Sequence, residues 1–169
     1  TDGDMTYVKY KEQVFKVSSD IISFANDSSY NIVSKLQALV DISEVKSVTV
    51  EYNGAEHTID ITHNDSDMTF VLDGQKVDTK ITQAIYKSIV GLAVDGVYKD
   101  ETLGDTVMKI KYKGIKSSSD TEIEFKSIDD LYCALIRNGK TEFTIKKSKL
   151  NEFMDLFNTY VENPEKQGD

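Results

Sequence analysis

Two Asn-Gly dipeptides, Asn53-Gly54 and Asn138-Gly139, each lie between stretches whose apolar residues alternate with polar ones. Asn and Gly both tolerate the positive φ angles of a type I′ turn, so each dipeptide joins two antiparallel strands and sets their register. Before Asn53, Val48, Val50 and Tyr52 alternate with Ser47, Thr49 and Glu51; after Gly54 the alternation resumes at Ala55, His57, Ile59 and Ile61. This is the period of a hairpin with one apolar face. Around the second dipeptide, Leu131 to Ile136 is apolar on both faces, as suits a strand inside a sheet, and Phe143 and Ile145 are expected to continue the register of Tyr132, Ala134 and Ile136.

Between and after these hairpins the period changes. A third strand is expected over Met68 to Leu72, closing on Asp73-Gly74. From there Ile81, Ile85, Ile89 and Leu92, with Ala84 beside them, form one helical stripe that Asp78 or Thr79 can cap, predicting a helix near 79–92. Strand signals return with Val107, Ile110 and Tyr112, then Ile123 and Phe125, with Lys116-Ser117-Ser118-Ser119-Asp120 as a solvated loop between them. Leu150, Phe153, Met154, Phe157, Tyr160 and Val161 recur at 3.6-residue spacing, predicting a helix near 148–162, capped by Ser148 and ended by Pro164. The expected fold class is α+β, a mainly antiparallel sheet built of hairpins with helices packed on one face.

Charge narrows the class of partner. The 169 residues carry 29 acidic and 20 basic side chains, a formal charge of −9, which repels phosphate backbones and anionic lipid headgroups. Nucleic acid is therefore not expected as a partner, and no apolar run is long enough for this segment to insert into a membrane. The single cysteine, Cys133, allows neither an intrachain disulfide nor a Cys-rich metal site, and it leaves the compartment open. Thr1 to Met5 has no basic and apolar leader pattern.

An internal echo suggests the domain organisation. Phe15, Val17 and Ile22 match Phe143, Ile145 and Leu150 at a constant offset, each set running from a hairpin into a helix that here begins around Ile21, Ile22 and Phe24. The expectation is a hairpin and helix over 1–40 that end a preceding repeat copy, a complete α+β module over 41–162, and a polar tail over 163–169. The hairpin Tyr7 to Val17 should then superpose on Tyr132 to Ile145.

None of the reactive side chains forms a recognisable constellation. His57 and His63 share a strand face, but residues six apart on a strand are about 20 Å apart, too far to share an ion. Asn64-Asp65-Ser66-Asp67 lacks the ligand alternation and distant glutamate of an EF-hand loop and reads as a polar turn. Asp129-Asp130 has no acid, base or histidine near it in sequence and reads as a solvated turn. Cys133, alternating with Leu131 and Leu135, reads as a packed or edge thiol and not as a nucleophile. No glycine spacing fits a phosphate loop. Lys146, Lys147 and Lys149 gather at a helix start, against the helix dipole, and read as a neutral accident. No catalytic, cofactor-binding or metal-ligating residue is assigned.

The order of hairpin, Val71-Leu72-Asp73-Gly74-Gln75-Lys76-Val77-Asp78, helix and hairpin, then the strand Tyr132 to Asn138-Gly139 and Phe143-Thr144-Ile145 running into the last helix, resembles the bacterial domain-of-unknown-function family 4340. The likeness spans roughly Asp41 to Tyr160. It departs in having no Trp before the central helix, where Phe70 takes the core position. The resemblance implies a tandem, extracytoplasmic module, anchored by a membrane segment outside this chain and often encoded beside transporter components. It carries no catalytic residue. The functional expectation is thus a non-enzymatic scaffold or interaction module of the bacterial cell envelope with a protein partner of the transporter class. The alternatives are a hydrolase-like enzyme whose site assembles only in three dimensions, and a small-ligand or calcium-binding module.

Overall fold

The computed structural model describes residues 4–20, 30, 34–64, 67–116 and 119–163. The chain forms two compact units, Thr1–Ser34 and Lys35–Asp169. The division falls a few residues before the 40/41 boundary read from sequence, because Ala38 is already buried and its carbonyl accepts the Tyr112 hydroxyl at 2.8 Å.

In the first unit, β1 (Met5–Tyr10) and β2 (Gln13–Ser18) form an antiparallel hairpin that pairs Val8 with Phe15 and Tyr10 with Gln13. Lys11 takes the positive φ, 55°, at its turn. The Lys16 ammonium stands over the ring of its cross-strand neighbour Tyr7, 5.9 Å from the centroid. Tyr7, Tyr10, Val14 and Phe15 are exposed. The helix expected around Ile21, Ile22 and Phe24 lies outside the described residues, as does the tail from Pro164.

The second unit is mostly β with two helices, in broad agreement with the α+β expectation. Its strands are β3 (Val45–Tyr52), β4 (Ala55–Asn64), β5 (Asp67–Leu72), β6 (Gln75–Val77), β7 (Gly96–Val97), β8 (Thr106–Gly114), β9 (Thr121–Ser127), β10 (Tyr132–Arg137) and β11 (Lys140–Lys146). They form one antiparallel sheet in the order β6-β5-β4-β3-β8-β9-β10-β11-β7. Helix α1 (Thr79–Val90) follows β6, and α2 (Lys147–Glu162) follows β11. A four-strand meander running into a helix therefore occurs twice within this unit, as β3-β4-β5-β6-α1 and β8-β9-β10-β11-α2, and the two copies meet along β3 and β8.

Turn chemistry accounts for the meanders. Asn53, Asp73 and Asn138 have φ of 50, 48 and 48°, and the glycines after them, Gly54, Gly74 and Gly139, have 77, 83 and 78°, so all three two-residue turns have the positive angles of type I′. Two of the turns also reach a third strand. The Asp73 amide donates to the Thr58 carbonyl and its carboxylate takes the Thr58 N–H at 2.8 Å. Asn138 bonds the amide and carbonyl of Glu122 in the same way, its Oδ1 taking the Glu122 N–H at 2.8 Å.

The buried positions alternate as a one-sided sheet requires: Val48, Val50 and Tyr52 on β3, Ile59 and Ile61 on β4, Phe70 and Leu72 on β5, Met108, Ile110 and Tyr112 on β8, Ile123 and Phe125 on β9. Ile81, Ile85 and Ile89 of α1 and Leu150, Phe153, Phe157 and Tyr160 of α2 complete the core. On the intervening positions, Lys111 pairs with Glu51, and Lys109 lies 3.7 Å from Glu122.

Several expectations need correction. Phe143 lies opposite Leu135 and Ile145 opposite Cys133, not Ala134 and Tyr132, because the register shifts between Leu135 and Ile136 and leaves Glu142 as the extra residue of a bulge. Leu131 precedes the strand and is exposed. Helix α1 ends at Val90, with Asp78 as its cap, its carboxylate taking the Lys80 N–H at 2.7 Å. Helix α2 begins at Lys147, so Ser148 lies inside its first turn and the cap residue is Lys146. Bonds from elsewhere in the fold stand in for a side-chain cap: the Lys147 amide donates to the Leu131 carbonyl at 2.8 Å and the Lys146 amide to Asp95 at 2.9 Å.

Asn138→Ala removes the bond to Glu122 and forces a Cβ-bearing residue without a bonding side chain into the left-handed region. A loss of about 2 kcal/mol is expected from the two effects together. Asn138→Gly loses only the bond and should cost less in urea unfolding. Unchanged stability in the Ala variant would contradict the role given to this turn.

Candidate functional site

The reactive side chains singled out in the sequence are dispersed and bound into the scaffold. His57 donates from Nδ1 to the Asp73 carboxylate at 2.7 Å, and its ring lies 6.0 Å from that of Phe157 and 6.1 Å from that of Tyr52. His63 donates from Nε2 to the Val45 carbonyl at 2.7 Å. Asp129 takes the Leu131 and Tyr132 amides at 2.8 and 2.7 Å, and these two bonds hold its carboxyl below the usual carboxylate range. It closes the turn into β10. Cys133 is fully buried between β9 and β11, and burial pushes its thiol pKa up. A buried, protonated thiol is a poor nucleophile. Of the polar turn 64–67, Asp65 and Ser66 lie outside the described residues, and Asp67 folds its carboxylate back onto the Met68 amide at 2.8 Å.

The basic cluster at the start of α2 is structural and not accidental. Lys149 donates to Asp95 at 2.9 Å and to the Ala93 carbonyl at 2.7 Å, while Lys147 reaches the Ser127 hydroxyl at 2.8 Å. These bonds tie α2 to the connection after α1 and to the end of β9. Burial alone would raise the Asp95 pKa, but the Lys149 side chain and the Lys146 amide outweigh it and hold the carboxyl low.

Between α1 and β5 lies a recess of about 400 Å³ lined by Ile42, Met68, Phe70, Thr82, Gln83 and Tyr86, with Asp67 and Thr79 also on its wall. Ile42 belongs to a short 3-10 turn, Ile42–Glu44, whose Asp41 cap takes the Ser43 amide at 2.9 Å. Thr82 and Tyr86 are one helical turn apart, so they share a face of α1 beside the buried Ile81–Ile85–Ile89 stripe. Thr82 is 1% exposed. Its Oγ1 and the Tyr86 hydroxyl are both shut off from solvent without a hydrogen-bond partner. A buried hydroxyl left this way costs about 1–3 kcal/mol. Burial, with the Asp41 carboxylate adding to it, pushes the Tyr86 pKa well above that of a free phenol.

Sequence reading passed over this pair. The available signal was a Thr and a Tyr four apart, each following an apolar stripe residue, Ile81 and Ile85. That pattern is also what the flank of any amphipathic helix looks like.

Among the described residues, no group of three His, Cys, Asp or Glu side chains could hold a metal ion, and no helix is long and apolar enough to cross a membrane. No family model, curated protein or solved structure matches the chain.

The geometry around Asp95 gives a pH-dependent prediction. A carboxyl whose folded pKa is depressed contributes stability above its unfolded pKa of about 3.9 and loses that contribution as pH falls through the folded value. Asp95→Asn should therefore lower Tm at pH 7, and its deficit against the wild type should shrink as pH drops from about 5 to below 3. A deficit independent of pH would show that the Asp95–Lys149 charge pairing is not what holds the start of α2.

Proposed function

We propose that this chain is a non-enzymatic interaction module, a scaffold for a protein partner of the transporter class, in a membrane-anchored protein on the extracytoplasmic side of the bacterial envelope. The observation that carries the non-enzymatic part is that the groups a hydrolytic site would draw on are committed elsewhere. His57 holds Asp73, His63 holds the Val45 carbonyl, Asp129 closes a turn, and Cys133 is enclosed in the sheet. His57 and His63 lie six residues apart on β4, about 20 Å along the strand, and three strands separate β4 from β10, which carries Cys133 and follows the Asp129 turn, so neither histidine stands with Asp129 or Cys133 as an acid and base on one bond.

The interaction part draws support from the N-terminal hairpin. A two-stranded sheet is marginal in water, and this one exposes Tyr7, Tyr10, Val14 and Phe15. Aromatic residues on a small surface suit contact with another protein. The envelope location and the transporter-class partner rest on the resemblance to family 4340.

A panel of ester, phosphoester, peptide and glycoside substrates tests the reading. Wild-type protein should give no turnover that His57→Gln, Asp129→Asn or Cys133→Ser abolishes. Turnover lost in any one of these variants would overturn it.

A further inference from the structure

We propose that Asn53 is a site of spontaneous deamidation, converted through a cyclic imide to an isoaspartyl or aspartyl residue, and that the fold holds the same chemistry back at Asn138. This goes beyond the scaffold reading and is independent of it. The step needs only water as co-reactant. The Gly54 backbone nitrogen attacks the Asn53 side-chain carbonyl carbon, a C–N bond closes a five-membered ring, and the side-chain nitrogen takes up the Gly54 amide proton and leaves as ammonia. Water then adds to one of the two imide carbonyls and breaks its bond to the Gly54 nitrogen. Breaking the side-chain carbonyl's bond gives aspartyl, and breaking the backbone carbonyl's bond gives isoaspartyl. A following glycine favours ring closure because it has no Cβ to crowd the attacking nitrogen, and of the asparagines in the sequence only Asn53 and Asn138 precede one.

The two turns match in backbone, exposure and nucleophile. Their φ angles are 50 and 77° at Asn53-Gly54 and 48 and 78° at Asn138-Gly139. All four residues are exposed, and a Cβ built on either glycine would meet nothing within 4 Å. Among the described residues, neither glycine amide donates a backbone hydrogen bond. The side chains differ. Asn138 Oδ1 accepts the Glu122 N–H at 2.8 Å, and the Asn138 amide donates to the Glu122 carbonyl at 2.9 Å. To bring its side-chain carbonyl carbon to the Gly139 nitrogen, Asn138 must give up the first of these bonds. The Asn53 side chain has no hydrogen bond among the described residues and gives up nothing. The difference follows from place in the fold. Asn138 and Asp73 each occupy the last turn of a meander and fasten it to the strand before the hairpin, whereas Asn53 occupies a first turn.

The products matter to the fold around them. An isoaspartyl residue carries one more carbon in the backbone, so it lengthens a two-residue turn whose geometry sets the pairing of Tyr52 with Ala55. Tyr52 is also paired with Met108 on β8, at the end of the contact between the two meander copies. Either product adds a carboxylate beside Glu51 and Glu56, which line one recess together with Asn53.

The test incubates the full chain at mildly alkaline pH, both folded and in urea above its unfolding midpoint. Cleavage after lysine places the two asparagines in the separate peptides 47–76 and 127–140. Mass spectrometry follows the gain that marks replacement of an amide by an acid, and fragment spectra assign its position. In the folded protein Asn53 should convert at least about threefold faster than Asn138, a ratio within the range that one net hydrogen bond corresponds to. In urea the tether is gone, and the two rates should agree to within about twofold, since both are Asn-Gly. The unfolded arm thus separates the effect of the fold from that of neighbouring residues. No conversion at Asn53, a folded-state ratio below threefold, or a ratio that survives unchanged in urea would overturn the assignment. None of these outcomes bears on the substrate panel that tests the scaffold reading.

Discussion

Val48, Val50 and Tyr52 on β3 lie opposite Tyr112, Ile110 and Met108 on β8, and this antiparallel seam is where the two meander-and-helix copies of the large unit meet. Among the described residues of this unit, all strands belong to the one sheet. Joined at the seam, the two copies make a continuous sheet whose central residues are almost wholly excluded from water, Val50, Met108 and Ile110 at 0% exposure. Burying side chains of this size contributes roughly 1.5–3 kcal/mol each, and at the seam six of them are buried on two adjacent strands. The outermost strands are short by comparison: β6 has three residues and β7 two. Short edges offer little backbone for another chain to pair with, which suits a sheet that is not closed into a barrel.

The helices reinforce the seam by reaching across it. Helix α2 belongs to the second copy, yet Phe157 meets the Tyr52 ring of the first copy edge-on at 6.2 Å, and Asn158 accepts the Tyr52 hydroxyl. Helix α1 belongs to the first copy, and its Tyr86 is close enough to the buried Tyr112 of β8 to raise the pKa of that phenol, though burial is the larger cause. Along α1, the Ile81–Ile85–Ile89 stripe is buried in the core, while the Thr82 and Tyr86 hydroxyls beside it are enclosed without a polar partner.

What could be read from the sequence follows the range of the interactions involved. The turns at Asn53-Gly54, Asp73-Gly74 and Asn138-Gly139 were legible because positive φ is a local demand that Asn, Asp and Gly meet by themselves. The helix stripes were legible for the same reason of local period, and Asp78 was legible as a cap. The misses are all tertiary. Strand β6 has three residues and one buried side chain, Val77, too few for alternation to register. The bulge at Glu142 shifts Phe143 by one position, which two-residue turn logic alone cannot foresee. Ser148 yields to Lys146 because bonds from Leu131 and Asp95 already serve the helix start. The unpartnered Thr82 and Tyr86 hydroxyls are not legible in the sequence, because a hydroxyl's lack of partners is a property of packing and not of residue type.

On this account the β3–β8 seam is the last structure to open, and the two copies do not come apart before the whole unit unfolds. Native-state hydrogen exchange across a series of urea concentrations measures this directly. The amides of Val48, Val50, Ile110 and Tyr112 should exchange only through global unfolding, with an opening free energy equal to that from equilibrium denaturation of the unit, while β6 and β7 open at lower cost. If those four amides exchange through a smaller opening than the amides of α1 and α2, the seam is not what holds the fold together.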